Sequence, residues 1–289
     1  MEWLNAVLQG ILLGGLYALL AAGLSLMFGV MRIVNLAHGV LAVVAAYLGY
    51  FLVDKLSVPA FLCILIVIPV MAGIGYVLQL GLLNPALARG GLAPILVTFG
   101  LAVVVTNLLQ QFFSADTRSI QTGAIATDSI QITGDIAIGV FPLLTFVVGV
   151  AVITGLQMYL SRSRTGRAMR AASDDKEAAQ LMGIDNRRIY AIATAIALGV
   201  VGLAGVFLGM RTQFSPTYGD ATLIFAFEAV IIGGLGSLWG TLIGGIVLGV
   251  AQTVGAQINP AYGILAGNLV FLAILAFRPT GLLQKAVNS

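Results

Sequence analysis

Apolar residues run through this chain in long blocks, and the charged residues fall almost entirely between the blocks. A charge in hydrocarbon is costly, so the intervals between charges measure out the segments able to cross a bilayer, about 20 residues each. The interval from Glu2 to Arg32 predicts a first span near residues 5–30, and that from Arg32 to Asp54 a second near 34–53. A third begins about Pro59 and ends before Arg89; a fourth lies within 90–115 and ends in the polar cluster Asn107, Gln110 and Gln111. Residues 136–161 and 189–210 predict the fifth and sixth. Beyond Asp220 only Glu228 interrupts the apolar sequence before Arg278, which leaves room for two further crossings with a turn at Gln257-Ile258-Asn259-Pro260. Residues 222–235 are apolar but short and stop at Gly233-Gly234-Leu235-Gly236-Ser237, as a broken or partly re-entrant helix would. The expected fold is therefore an all-α polytopic membrane protein, one transmembrane domain over residues 1–289 with about eight full spans plus that short helix.

Composition narrows the classes further. Only 14 basic and 11 acidic residues stand among 289, against roughly a quarter charged in soluble proteins. So few charges cannot cover a water-facing surface, which excludes a soluble enzyme, a nucleic-acid binder and a disordered scaffold. If the N-terminus is outside, the inner loops hold Arg32, Arg89, the seven basic residues from Arg162 to Arg188, Arg278 and Lys285, while the outer loops hold only Lys55, Arg118 and Arg211. This asymmetry predicts a cytoplasmic C-terminus. The first segment lacks the basic flank of a cleaved signal peptide and is expected to be a resident span. Cys63 has no partner for a disulfide, and the single His38 has no companion at ligand spacing, so no metal or other cofactor is expected. Gly199, Gly202, Gly205 and Gly209 form a small-residue stripe suited to close helix packing.

Two loops are long enough to carry function. In the outer one, residues 114–139, isoleucine alternates on both sides of Gly134-Asp135 in a β-hairpin pattern. It is either a cap over the helix ends or part of a landing platform for an extracytoplasmic protein. The inner loop, residues 161–188, carries seven basic and four acidic residues. Asp174 suits an N-cap, Glu177 three residues on suits a capping box, and Gly183 suits a left-handed helix end. A helix of about two turns is marginal alone. Its face of Ala178, Leu181 and Met182 fits a groove in a partner protein, the alternative being a juxtamembrane helix that only obeys the charge rule.

The string Glu177-Ala178-Ala179-Gln180-Leu181-Met182-Gly183 resembles the EAA coupling motif of ABC importer permeases. Phe28-Gly29-Val30-Met31-Arg32-Ile33-Val34-Asn35-Leu36-Ala37-His38-Gly39, Arg164-Thr165-Gly166-Arg167-Ala168-Met169-Arg170-Ala171, Gly233-Gly234-Leu235-Gly236-Ser237 and Phe277-Arg278-Pro279-Thr280-Gly281 are similar, in wording and order, to the LivH-type permeases for branched-chain amino acids. The resemblance implies a prokaryotic inner-membrane importer with a second, LivM-like permease, two ATP-binding subunits and an extracytoplasmic substrate-binding protein. It assigns Asp174, Glu177, Ala178, Ala179, Leu181, Met182 and Gly183 to ATPase coupling. The chain has no ATPase site of its own, because none of Lys55, Lys176 and Lys285 follows the glycine that a phosphate-cradling loop requires.

Several intramembrane residues are candidates for the pathway or its gate. Glu228 is the acid deep within an apolar segment, so it either borders the pathway or makes a structural hydrogen bond. Asn35 and His38, one turn apart at the start of the second span, either tie the preceding turn to a neighbouring helix or line the inner mouth. Gly233, Gly234 and Gly236 either break a helix beside the substrate route or form a tight turn. The expected activity is ATP-driven uptake of a hydrophobic amino acid. A permease for urea, an amide or a sugar, and an ion-coupled secondary transporter, are the alternatives; no nucleophile with a base suggests an enzyme.

Overall fold

The computed structural model describes residues 2–123, 128–133 and 136–283. The described helices are α1 (Glu2–Met31), α2 (His38–Leu56), α3 (Cys63–Leu78), α4 (Asn84–Arg89), α5 (Ala93–Phe113), α6 (Val140–Arg162), α7 (Arg164–Asp174), α8 (Lys176–Leu181), α9 (Asn186–Arg211), α10 (Gly219–Gly233), α11 (Leu238–Ile258) and α12 (Tyr262–Phe277). A π-helical turn, Gln79–Leu83, joins α3 to α4 in one 27-residue rod, Cys63–Arg89. Among the described residues, seven helices are long and apolar enough to cross a membrane: α1, α2, the α3–α4 rod, α5, α6, α9 and α11. The eighth span expected near the C-terminus is the shorter α12, 16 residues, and the short segment before it is α10, 15 residues.

In lipid the core cannot be chosen by apolarity alone, and close approach of backbones selects it instead. Helices α1 and α9 are the most enclosed, each with 83% of its most apolar stretch buried, whereas α5 has 17%. Helix α1 lies antiparallel to α11 along facing glycines. A Cβ at Gly14 would sit 2.5 Å from the Ile246 Cα, and one at Gly245 would sit 2.7 Å from the Gly14 carbonyl. The stripe expected on the sixth span packs α9 against its neighbours: a Cβ at Gly202 would meet the Met71 Cβ at 3.0 Å, and one at Gly205 would run into the Ala42 carbonyl.

The short apolar segment expected over residues 222–235 lies in α10 and stops at the glycines as expected. Helix α10 is unbroken to Gly233, and the glycine turn follows its end, with φ of 105° at Gly234 and 82° at Gly236. This turn lies at the arginine-rich end of the bundle, since a Cβ at Gly29, three residues before Arg32, would be 3.4 Å from the Gly236 Cα. Irregular backbone also enters the bundle at residues 32–37. The chain reverses at Arg32 (φ 54°), runs back beside α1 without helical structure, and begins α2 where His38 Nε2 meets the Leu20 carbonyl at 2.7 Å. From Met31 back to Leu20 is ~16 Å along the helix axis, so α2 starts well inside the bundle. After Arg32 every residue of this segment except Asn35 is apolar, so hydropathy merges it with the following helix.

In the outer loop, strands β1 (Ser129–Thr133) and β2 (Ile136–Gly139) pair antiparallel with Ile130 opposite Ile138. The Gly134-Asp135 turn expected between them lies outside the described residues. Gln9 Nε2 donates to the Ala137 carbonyl at 2.9 Å, which ties the hairpin to α1.

The facing glycines make a sharp prediction. Gly14→Leu is expected to cost ~3 kcal/mol or more by overpacking and to deplete folded protein in thermal-shift size exclusion. Gly73→Leu, at a site where a Cβ meets nothing within 4 Å, should stay within ~0.5 kcal/mol of the parent.

Candidate coupling site and intramembrane polar residues

The inner loop folds into two helices, not one. Ser163 ends α6 and caps α7, its Oγ accepting from the Gly166 amide at 2.8 Å. Met169 and Ala172 of α7 are buried among Met27, Val30 and Met31 of α1 and Tyr190 and Ala193 of α9. Ser173 Oγ donates to the Gly29 carbonyl at 2.7 Å. Asp174, the expected cap, is instead the last residue of α7. The cap of α8 is Asp175, whose Oδ1 accepts from the amides of Glu177 and Ala178, both at 2.9 Å. Glu177 is thereby the second helical residue, one position short of a capping box. The Asp-Asp pair offers two caps one residue apart, and extension of α7 through Asp174 decides between them.

Helix α8 ends as expected at Gly183, with φ of 82°. The Gly183 amide donates to the Gln180 carbonyl at 2.9 Å and the Ile184 amide to the Ala179 carbonyl at 3.0 Å, which satisfies the helix end. Ala179 alone on α8 is buried and seats it on the body. Ala178, Leu181 and Met182 face outward, with Leu181 89% and Met182 83% exposed. Two large apolar side chains thus project from an otherwise charged loop.

The intramembrane candidates separate. Asn35 precedes α2, so it does not share a helix face with His38; its Oδ1 accepts from the Ala37 amide at 3.0 Å and its Nδ2 lies 3.8 Å from Met27 Sδ. His38 is 0% exposed and holds α1 through Leu20. Both residues fasten the irregular segment at 32–37. Glu228 is buried on α10. The Asn268 amide of α12, oriented so that its nitrogen faces acceptors, donates to Glu228 Oε1 at 2.8 Å and to the Ile264 carbonyl at 3.2 Å. Tyr17 of α1 donates to Gln252 of α11 nearby. Gly233 packs on the Gly240 backbone, and Leu282 and Leu283 donate to the Ile232 and Gly233 carbonyls at 2.8 and 3.1 Å. The C-terminal segment therefore satisfies carbonyls left open at the end of α10. Gly236 lines a cavity of about 560 Å³ with Phe28, Arg32, Gln157, Asp174 and Trp239, beside α7. Among the described residues, no cluster of His, Cys, Asp and Glu suits a metal.

The profile of the branched-chain amino acid transport system permease components matches residues 6–276. The chain belongs to this family. BraD of Pseudomonas aeruginosa, a high-affinity branched-chain amino acid transport system permease protein, is 30% identical, with 98% of this chain and 96% of BraD aligned. LivH of Escherichia coli, described in the same words, is 26% identical over 98% of this chain and 96% of its own length. LivM of Escherichia coli is 32% identical over 43% of this chain and 29% of LivM. The chain is thus a LivH-type, multi-pass inner-membrane permease, and membership of this family favours the ATP-driven reading over an ion-coupled carrier.

Spacing of charges does not reveal single polar residues inside apolar runs. The permease buries Gln79, Thr194 and Gln252, and pairs each with another residue distant in sequence. Their only sequence signal is an amide or hydroxyl within a span, which does not name its partner. For the Glu228 tie, Asn268→Leu strands a buried carboxyl and should lower stability by ~1 kcal/mol. Glu228→Gln, still bonded to Asn268, should shift the thermal midpoint by less than half as much as Asn268→Leu does.

Proposed function

We propose that this permease is the membrane subunit of an ATP-driven importer for branched-chain or other hydrophobic amino acids. It takes substrate from an extracytoplasmic binding protein and works with a second, LivM-like permease and two ATP-binding subunits. The observation that carries this reading is α8, a capped six-residue helix seated by Ala179 with Leu181 and Met182 projecting into water. Exposed apolar side chains on a charged loop fit a helix-in-groove contact with an ATP-binding subunit. Glu177 through Gly183 then receives the ATPase movement, and this chain carries out no bond chemistry. Asp174, at the α7–α8 junction, faces the inner cavity together with Gly236. That wall supports an inner mouth near the glycine turn, whereas Asn35, His38 and Glu228 act as ties that hold the helices bordering it.

Gly183→Arg tests the contact cleanly, because a Cβ there meets nothing within 4 Å and the fold is disturbed only by the left-handed backbone. That strain is of order 1–2 kcal/mol. At normal membrane expression the variant is expected to lose more than about tenfold in uptake, as a coupling free energy of that size implies, and to lose substrate-stimulated ATPase activity in the reconstituted transporter. Survival of both activities would refute the docking role.

A further inference from the structure

A buried polar chain links the coupling loop to the membrane body through residues that the docking contact does not use. Asn186 Nδ2, at the start of α9, donates to the Lys176 carbonyl of α8 at 2.8 Å. One residue on, the Arg187 carbonyl accepts from Asn84 Nδ2 at 3.2 Å. Asn84 Oδ1 accepts from Gln79 Nε2 at 3.0 Å, and Gln79 Oε1 accepts from Thr194 Oγ1 at 2.6 Å. Gln79 and Asn84 bracket the π-helical turn, whose backbone bond runs from the Asn84 amide to the Gln79 carbonyl. The α3–α4 rod is thus pinned to α9 at two levels, Arg187 and Thr194, about two turns apart. Gln79 is 0%, Thr194 1%, Asn186 2% and Asn84 6% exposed, so these groups are withdrawn from solvent. Asn186 Oδ1 has no partner among the described residues, but the paired Gln79, Asn84 and Thr194 side chains fix one arrangement of the helices that share them. Beside them lies a cavity of about 200 Å³ between α8 and α4.

We propose that Gln79, Asn84, Thr194 and Asn186 are positioning residues for energy coupling, locking α8, the π-helical turn and the inner half of α9 into one body that moves when the ATP-binding subunit moves α8. This rests on the docking reading of α8. The π-helical turn is the natural site for it: it opens the ordinary helical ladder and turns the Gln79 side chain toward Asn84, a junction of the kind found at functional sites in helices. Packing alone already holds α3 on α9, since a Cβ at Gly75 would lie 2.7 Å from the Thr194 carbonyl. The amides therefore add a fixed register to a contact that would exist without them.

The test replaces the three side chains that pin the π-helical turn to α9 and leaves the Asn186 bond to α8 in place. Gln79→Leu, Asn84→Leu and Thr194→Val together remove donors and acceptors in matched sets, a change that is nearly neutral for stability. In the full transporter, the triple variant is expected to assemble with the ATP-binding subunits and hydrolyse ATP while uptake per ATP falls about tenfold or more. Thr194→Ser, which keeps the hydroxyl, should behave as the parent. Normal uptake per ATP in the assembled triple variant would overturn the proposal and leave docking at α8 intact; normal uptake in Gly183→Arg as well would overturn the docking reading beneath it. If the triple variant does not accumulate, spin labels on the otherwise parental chain decide. The distance from Gln180→Cys on α8 to Val77→Cys on α3 should stay fixed on adding ATP while that from Gln180→Cys to Leu265→Cys on α12 changes. A changing α8–α3 distance would overturn the proposal.

Discussion

Backbone contact between α1 and α11 sets the terms for the rest of this fold. In a bilayer, apolar side chains gain little by facing one another instead of lipid, so helices hold together where backbones touch and where polar groups find partners. Gly10 and Gly14 on α1 meet Gly245 and Gly249 on α11 with no room for a side chain between them. That contact places the ends of α1 and α11 side by side, so Gly29, Gly236 and Arg32 meet at the arginine-rich face. Helix α7 lies across this face and bonds it through Ser173. The inner loop therefore packs on α1 and α9, the two most enclosed helices, as well as on the end of α6.

Charge follows the same division. Eleven of the 25 charged residues lie between Arg162 and Arg188, and the helices they join are almost free of charge. The loop cannot sink into the bilayer, yet it exposes Leu181 and Met182. Those two side chains are what the proposed contact with an ATP-binding subunit would cover. The polar residues within the bundle act by another rule. His38, Glu228 and Tyr17 each bond a neighbouring helix or segment and specify how the helices register.

Much of this was legible in the sequence because the costs involved are large. Charge in hydrocarbon is expensive enough that the gaps between charges locate α1, the α3–α4 rod, α5, α6, α9 and α11. A left-handed helix end favours glycine strongly enough to pick out Gly183, and alternation of isoleucine marks the paired strands. The misses come where competing choices differ little. Asp174 and Asp175 are equivalent as caps until α7 claims the first. The irregular stretch at residues 32–37 is hidden because an apolar extended segment has the hydropathy of a helix. Gly233, Gly234 and Gly236 announce a break but not its depth, which the contact of Gly236 with Gly29 determines. The Gln79 network depends on partners over a hundred residues away, such as Thr194, and no local pattern encodes that pairing.

The central claim is that α8 is covered by an ATP-binding subunit when the transporter is assembled. A photo-activated benzophenone amino acid placed at Leu181 tests it directly, with Ser114 in the outer loop as the reference site, both read by mass spectrometry after illumination of the intact transporter in membranes. The account predicts an adduct between Leu181 and the ATP-binding subunit, and none with that subunit from Ser114. A transport-competent complex in which Leu181 labels only lipid, or only this chain, would contradict it.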